Sequence, residues 1–205
     1  MEREGTEWNQ RYRQGSHGSL DPDPFFLQAF RDFVAPRFPQ GGSALDAAGG
    51  VGRHAIYLAQ HGWGVKLVDI SEVGLEQAKR NAGDLAGKIQ FVAADLDTVD
   101  LGCNQFDLVL VFFYLQRDIC EKLADAIRPG GLLIYKTYLE TVGSSRTKNR
   151  RGPSHPMHLL KAGELSRAFP DLQVLQYAEN SGDGSVAELV AAKPGVDSTH
   201  SPAVF

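Results

Sequence analysis

Residues 45–54 read LDAAGGVGRH, and the fold turns on this stretch. Apolar residues lead up to Asp46, glycines follow at 49, 50 and 52, and Arg53 and His54 open a segment in which Ala55, Ile56, Leu58 and Ala59 have helical spacing. The pattern predicts a strand over Ser43–Ala47 that turns sharply into a helix, which Gly62 ends. Such a turn exposes backbone N–H groups at a helix N-terminus, where the macrodipole also favours anionic or strongly accepting groups.

Outward from this turn, short apolar runs alternate with helical ones. GVKLVDI (64–70) reads as a second strand that stops at Asp69. Ser71 is placed to cap the helix SEVGLEQAKRNAG, and Gly83 to end it. KIQFVAAD (88–95) predicts a third strand ending at Asp95, and FDLVLVFFYL (106–115) a fourth, apolar enough to be covered on both faces. A helix over Asp118–Ile127, a turn at RPGG (128–131) and a fifth strand, LLIYKTY (132–138), follow. A short helical piece over Ala162–Ala168 then precedes LQVLQYA (172–178) and VAELVAA (186–192), which read as a hairpin joined by NSGDGS. The alternation predicts a parallel sheet covered by helices and closed by an antiparallel pair.

The composition is that of one ordinary globular domain: 205 residues, 42% hydrophobic and 22% charged. A net charge of −4 gives no general attraction for nucleic acid or an anionic membrane. Cys103 and Cys120 lie outside any disulfide framework or zinc spacing, so no metal site is expected. The N-terminus has no apolar signal run, and no apolar stretch is long enough to span a bilayer; a cytoplasmic address is expected.

Which ligand the turn holds is decided by its neighbours. A P-loop needs a lysine after its last glycine, and none follows Gly52. A dinucleotide fits better, since Gly50-Val51-Gly52-Arg53-His54-Ala55 satisfies GxGxxG/A and Asp69 follows Gly50 by 19 residues. Asp46, however, would repel a pyrophosphate, while it suits the ammonium group of S-adenosylmethionine. Asp69 can take the ribose hydroxyls and Asp95 the exocyclic amine of adenine, both at the carboxyl edge of the sheet.

With these residues in hand, the chain from Trp8 to Lys193 resembles a class I S-adenosylmethionine-dependent methyltransferase. The matching segments are Asp46–Arg53, Asp69, Asp95, Phe106–Leu115 and Arg128–Gly131. Trp8, Arg11 and Tyr12 are similar to the W..RY signature of the tellurite-resistance and thiopurine methyltransferase-like branch, whose N-terminal segment covers the cofactor. The resemblance implies an α/β fold, a three-layer Rossmann-like sandwich with a mostly parallel seven-stranded sheet and a C-terminal antiparallel hairpin. The chain is expected to divide into a helical cap (1–42) and a methyltransferase domain (43–193); the lack of apolar periodicity marks a lid-like loop (140–158) within it and a flexible tail (194–205). The implied cofactor-binding set is Trp8, Arg11, Tyr12, Asp46, Ala48, Gly49, Gly50, Gly52, Arg53, Asp69, Ile70, Asp95, Leu96, Val111 and Phe112. Ala48 stands where the family has glycine, and Lys136-Thr137-Tyr138 where the branch often has Glu-Thr-Phe.

Methyl transfer from a sulfonium needs alignment more than side-chain chemistry. No residue is assigned a catalytic role; Tyr138, His155 and His158 are the candidates to remove a proton from a hydroxyl or amine acceptor. An already ionised, soft sulfur, selenium or tellurium nucleophile needs no base; a carboxylate or hydroxyl acceptor is the other expectation. VFFYLQ (111–116) lacks the Asn/Asp-Pro-Pro-aromatic motif of enzymes that methylate exocyclic amines of nucleic acids, so the expected partner is a small molecule and not a nucleic acid or a membrane. An NAD-dependent oxidoreductase and a non-catalytic cofactor-binding module stay open as alternatives.

Overall fold

The computed structural model describes residues 2–140, 152–153, 155–180 and 185–195. Its strands are β1 (Ser43–Ala47), β2 (Gly64–Asp69), β3 (Ile89–Ala93), β4 (Phe106–Phe112), β5 (Ile127–Tyr138), β6 (Gln173–Asn180) and β7 (Val186–Ala192). They form one seven-stranded sheet in the order β3-β2-β1-β4-β5-β7-β6, with β5–β7 and β6–β7 antiparallel and the other pairs parallel. The chain leaves β1 toward β2 and β3 on one side and resumes at β4 on the other. The carboxyl ends of β1 and β4 therefore flank the switch point at which open α/β sheets bind ligands.

Helices α1 (Glu2–Arg13), α2 (Pro24–Ala29) and α3 (Ala35–Arg37) precede the sheet, with a wide turn over Phe30–Val34 joining the last two. α4 (Arg53–Gln60) and α5 (Glu72–Ala82) follow β1 and β2, α6 (Cys120–Ala126) follows β4, and α7 (Glu164–Arg167) precedes β6. Ser71 caps α5 as expected, its hydroxyl accepting the Gly74 amide at 3.0 Å. Asp23 does the same for α2, accepting the Phe25 amide at 2.9 Å with Pro24 in the first helical turn.

Leu108, Val109, Leu110 and Val111 of β4 are all fully buried, because helices cover both faces of the sheet. Phe25, Phe26, Ala29, Phe30 and Val34 belong to the same core cluster as Ala44, Leu108 and Leu110. The segment before β1 is thus part of the fold's main core. Burying Phe26 completely contributes roughly 1.5–3 kcal/mol.

Three boundaries differ from the sequence expectation. β3 ends at Ala93, so Asp95 lies in the following turn. RPGG is no separate turn but the bulged beginning of β5, where the register shifts between Phe106 and Leu108. The helix expected over Asp118–Ile127 starts with a tight turn at Arg117–Ile119, and Ile127 already belongs to β5. Most of the lid-like loop, the hairpin turn and most of the tail lie outside the described residues. Among the described residues no helix is long and apolar enough to cross a membrane.

Candidate functional site

The turn after β1 is held in left-handed backbone at Ala48 (φ 56°), Gly50 (φ 57°) and Gly52 (φ 82°). At Gly49 a Cβ would lie 2.7 Å from the Asp46 carboxyl carbon, and at Gly50 it would run into the Tyr12 hydroxyl. Only glycine lets the backbone pass so close to both. Ala48 has no such freedom, and its backbone carries the strain of the conformation.

Asp46 and Asp69 end adjacent parallel strands and are both buried. Asp46 Oδ2 accepts the Ala55 amide at 3.1 Å; Asp69 Oδ2 accepts the Gly50 amide and Oδ1 the Ser71 amide, each at 2.8 Å. These bonds tie the glycine turn to the start of α4 and the end of β2. Neither carboxylate makes an ion pair among the described residues. Burial pushes the Asp46 carboxyl up to about 7, with the Ala55 amide and Arg53 opposing and Asp69 adding to the rise. Burial also raises Asp69, against the Ser71 and Gly50 amides. Asp95 is half-buried, and its Oδ1 accepts the Asp97 amide at 2.9 Å in a local turn. Asp69 and Asp95 share one neighbour, Tyr114, whose hydroxyl is raised by burial and then by Glu4, Asp95, Asp97 and Asp69. Leu96 is buried beside this region, and Ile70 is half-exposed under Gly5 of α1.

The N-terminal helix covers the turn. Asn9 Oδ1 accepts the Ser71 hydroxyl at 2.7 Å and the Val73 amide at 3.1 Å, docking α1 on the start of α5. Tyr12 is buried over Gly50 and Gly74, and its backbone oxygen accepts Gln77 Nε2 at 3.2 Å. Trp8 lies 5.9 Å from the Tyr12 ring and 5.4 Å from the His17 ring, and the Arg11 guanidinium sits 4.6 Å above Trp8. Burial, then Arg11 and Arg53, hold His17 below the ordinary histidine value.

At the end of β4, Val111 is fully buried in the core, and Phe112 packs on Phe25, Phe26 and His54. The side chains that reach the edge are Phe113 and Tyr114, one and two residues on, both half-buried. Phe113 has φ 58°, uncommon for an aromatic residue, and its amide donates to the Lys136 carbonyl at 2.7 Å. Tyr138 stands 5.1 Å from the Phe113 ring. His155 and His158 are exposed on the surface, their rings 6.1 Å apart. Among the described residues no three His, Cys, Asp or Glu side chains converge to hold a metal ion.

Sequence reasoning missed a buried polar cluster beneath this edge. Lys136 Nζ lies 2.9 Å from Asp23 Oδ1 and 3.0 Å from Glu188 Oε1. His54 Nε2 accepts the Asp23 amide at 3.2 Å, and burial, then Arg53 and Lys136, keep the imidazole neutral by lowering it well below its usual value. The sequence signal for Asp23 was the Asp-Pro pair before an aromatic helix; for Phe113 there was none.

Residues 44–131 match the family model described as a methyltransferase domain. The tRNA 5-carboxymethoxyuridine methyltransferase of Escherichia coli (strain K12) is 36% identical over 115 residues, 51% of this chain; the chain spans 43% of that relative's length. TehB from Haemophilus influenzae superposes with a TM-score of 0.70 at 18% identity, covering 90% of this chain and 67% of its own. A Burkholderia thailandensis 1,6-didemethyltoxoflavin-N1-methyltransferase, solved with 1,6-didemethyltoxoflavin and S-adenosylhomocysteine bound, gives the same TM-score and identity over 93% of this chain and 87% of its own. The expectation that excluded nucleic acid is corrected by the first of these, a protein that acts on tRNA. Net charge averages over a whole surface, so a value of −4 does not bear on one local contact.

Proposed function

We propose, from the premise that this chain has the class I S-adenosylmethionine-dependent methyltransferase fold, that it transfers a methyl group from S-adenosylmethionine to an acceptor seated at the β1/β4 switch point. One observation carries the reading: Asp46 and Asp69 are buried carboxylates without an ion-pair partner among the described residues, placed side by side over a glycine turn. Buried carboxylates are costly unless a cation or strong donors meet them. A pyrophosphate would add negative charge there, whereas an ammonium group and ribose hydroxyls satisfy both acids.

The residues present fit this cofactor. Asp46 would face its ammonium group, the remaining lone pairs of Asp69 its ribose hydroxyls, and Asp95 its adenine amine. α1, through Trp8, Arg11 and Tyr12, would cover it and exclude water. When bound, the cofactor supplies an electrophilic methyl group, and the protein's part is alignment. Ala48, Gly49, Gly50 and Gly52 shape the turn beneath, with Ile70 and Leu96 as its apolar flank. Tyr138 is the candidate base for a hydroxyl or amine acceptor, since its ring borders Phe113 at the sheet edge, while His155 and His158 lie on the surface.

Thermal shift and calorimetry with S-adenosylmethionine, S-adenosylhomocysteine and NADH test the reading. The two adenosyl ligands are expected to raise the melting temperature and NADH to leave it unchanged; the reverse result overturns it. Methyl-labelled cofactor offered with total tRNA and, separately, with a small-molecule cell extract then locates the acceptor.

A further inference from the structure

Arg53 is half-buried at the first position of α4, directly after the glycine turn, and among the described residues its side chain makes no hydrogen bond and no ion pair. Its guanidinium carbon lies 5.6 Å from the Phe113 ring, and its charge also reaches Asp46, Tyr12, His17 and His54. Phe113 is flanked by a second cation, Lys136, whose Nζ lies 5.7 Å from the same ring. The two differ in what they have left to give. Lys136 is neutralised by Asp23 at 2.9 Å and Glu188 at 3.0 Å, whereas Arg53 keeps its donors.

The ring between them is held in place at a cost. Phe113 sits in left-handed backbone, a conformation that persists only where surrounding structure enforces it and that gathers at ligand sites. Its backbone N–H donates a hydrogen bond to the Lys136 carbonyl at 2.7 Å, which anchors this backbone to β5. Tyr138, 5.1 Å away and inclined by 41°, adds a second aromatic wall. Two aromatic rings and one guanidinium with free donors thus meet at the end of β4, a strand on the other side of β1 from β2 and β3.

We infer that Arg53 is the anchor of the acceptor pocket, and that it holds a carboxylate of an acceptor bordered by Phe113 and Tyr138. This rests on the methyltransferase reading above and names the acceptor class for it. The sequence groups Arg53 with the cofactor; its stacking on Phe113 points it to the acceptor side. A planar guanidinium fork matches a carboxylate through two parallel N–H bonds. One cation with free donors suits one negative charge; a phosphate commonly gathers more, and Lys136 is already spent on two carboxylates.

The test uses the full chain loaded with S-adenosylhomocysteine and the nucleoside 5-carboxymethoxyuridine as probe, with its carboxamide as the neutral isostere. Calorimetry is expected to show the acid bound at least tenfold more tightly than the amide. With S-adenosylhomocysteine saturating, Arg53→Gln is expected to abolish that acid-over-amide preference, and Arg53→Lys to restore only part of it. Equal affinity for acid and amide in the wild type, or no binding of the acid, overturns the inference. Loss of S-adenosylhomocysteine affinity in Arg53→Gln overturns it too, by assigning Arg53 to the cofactor. Failure of the underlying reading looks different: the wild-type protein then binds neither S-adenosylmethionine nor S-adenosylhomocysteine before any probe is added.

Discussion

The Lys136 ammonium lies 2.9 Å from the Asp23 carboxylate across 113 residues of sequence, both side chains largely buried. Together with Glu188 it ties the start of α2 to the neighbouring strands β5 and β7. Removing the cation alone leaves two carboxylates in a dry setting, so Lys136→Met is expected to destabilise the fold by about 3–5 kcal/mol. In a chain of this size that is a fall in melting temperature of roughly 10 °C. The triple change Lys136→Met, Asp23→Asn, Glu188→Gln is expected to recover most of it, as thermal denaturation of the two variants would show.

The Asp46 carboxyl, raised by burial to about 7, gives a pH signature. Below the ordinary aspartate value of about 4 both folded and unfolded chains hold the proton. Between about 4 and about 7 the unfolded chain has lost a proton that the folded one keeps, so the ligand-free protein is expected to lose stability as pH rises through this window. Asp69 shifts in the same direction, so Asp46→Asn should flatten the slope without abolishing it. Binding of a cationic ligand favours the ionised acid and should release protons near pH 6. Calorimetry in two buffers of different ionisation enthalpy measures this; a proton count unchanged by Asp46→Asn contradicts it.

Ala48 carries a left-handed backbone at φ 56° where glycine would be relaxed. The strain of about 1–2 kcal/mol is partly offset by glycine's greater freedom in the unfolded chain. Ala48→Gly is therefore expected to gain up to about 1 kcal/mol, a rise of roughly 2–4 °C in melting temperature, with ligand affinity kept or improved. A lower melting temperature would show that the methyl group packs more favourably than the backbone strain costs.

Asn9 is the bolt of the N-terminal cover, accepting both the Ser71 hydroxyl and the Val73 amide. Asn9→Ala leaves the Val73 amide without its acceptor and is expected to cost about 1–3 kcal/mol of local stability. Hydrogen exchange should then speed up in α1 while β4 and β5 stay protected. If α1 covers the cofactor, S-adenosylmethionine affinity falls with it, and equal affinity in the two proteins would place α1 outside the site.

The sheet was legible because short runs rich in apolar and β-branched residues alternate with helical ones, several of them closed by a punctuating residue. Gly52, Gly62, Ser71 and Gly83 mark their helix ends as local chemistry requires. Asp46 and Asp69 were legible for the same reason: charges that end apolar strands. Asp95 was named too, although a shorter β3 leaves it in a local turn. What the sequence did not reveal depends on contacts between distant segments. The Asp23–Lys136–Glu188 cluster joins three separate stretches, and no spacing rule links them. Phe113 was hidden by its own strand, since a run as greasy as FDLVLVFFYL does not announce where a backbone torsion changes sign. Val111 and Phe112, named from the resemblance, are buried, and the half-buried Phe113 follows them in the chain.

β7 lies between β5 and β6, although it follows both of them in the chain. Until Val186–Ala192 emerges, β6 has no neighbour to pair with and β5 keeps one flank bare, a template for sticking to other nascent chains. Completion of this sheet must therefore wait for the end of translation of that strand, and a stop codon placed shortly before it would send the product to aggregates instead of a smaller working protein.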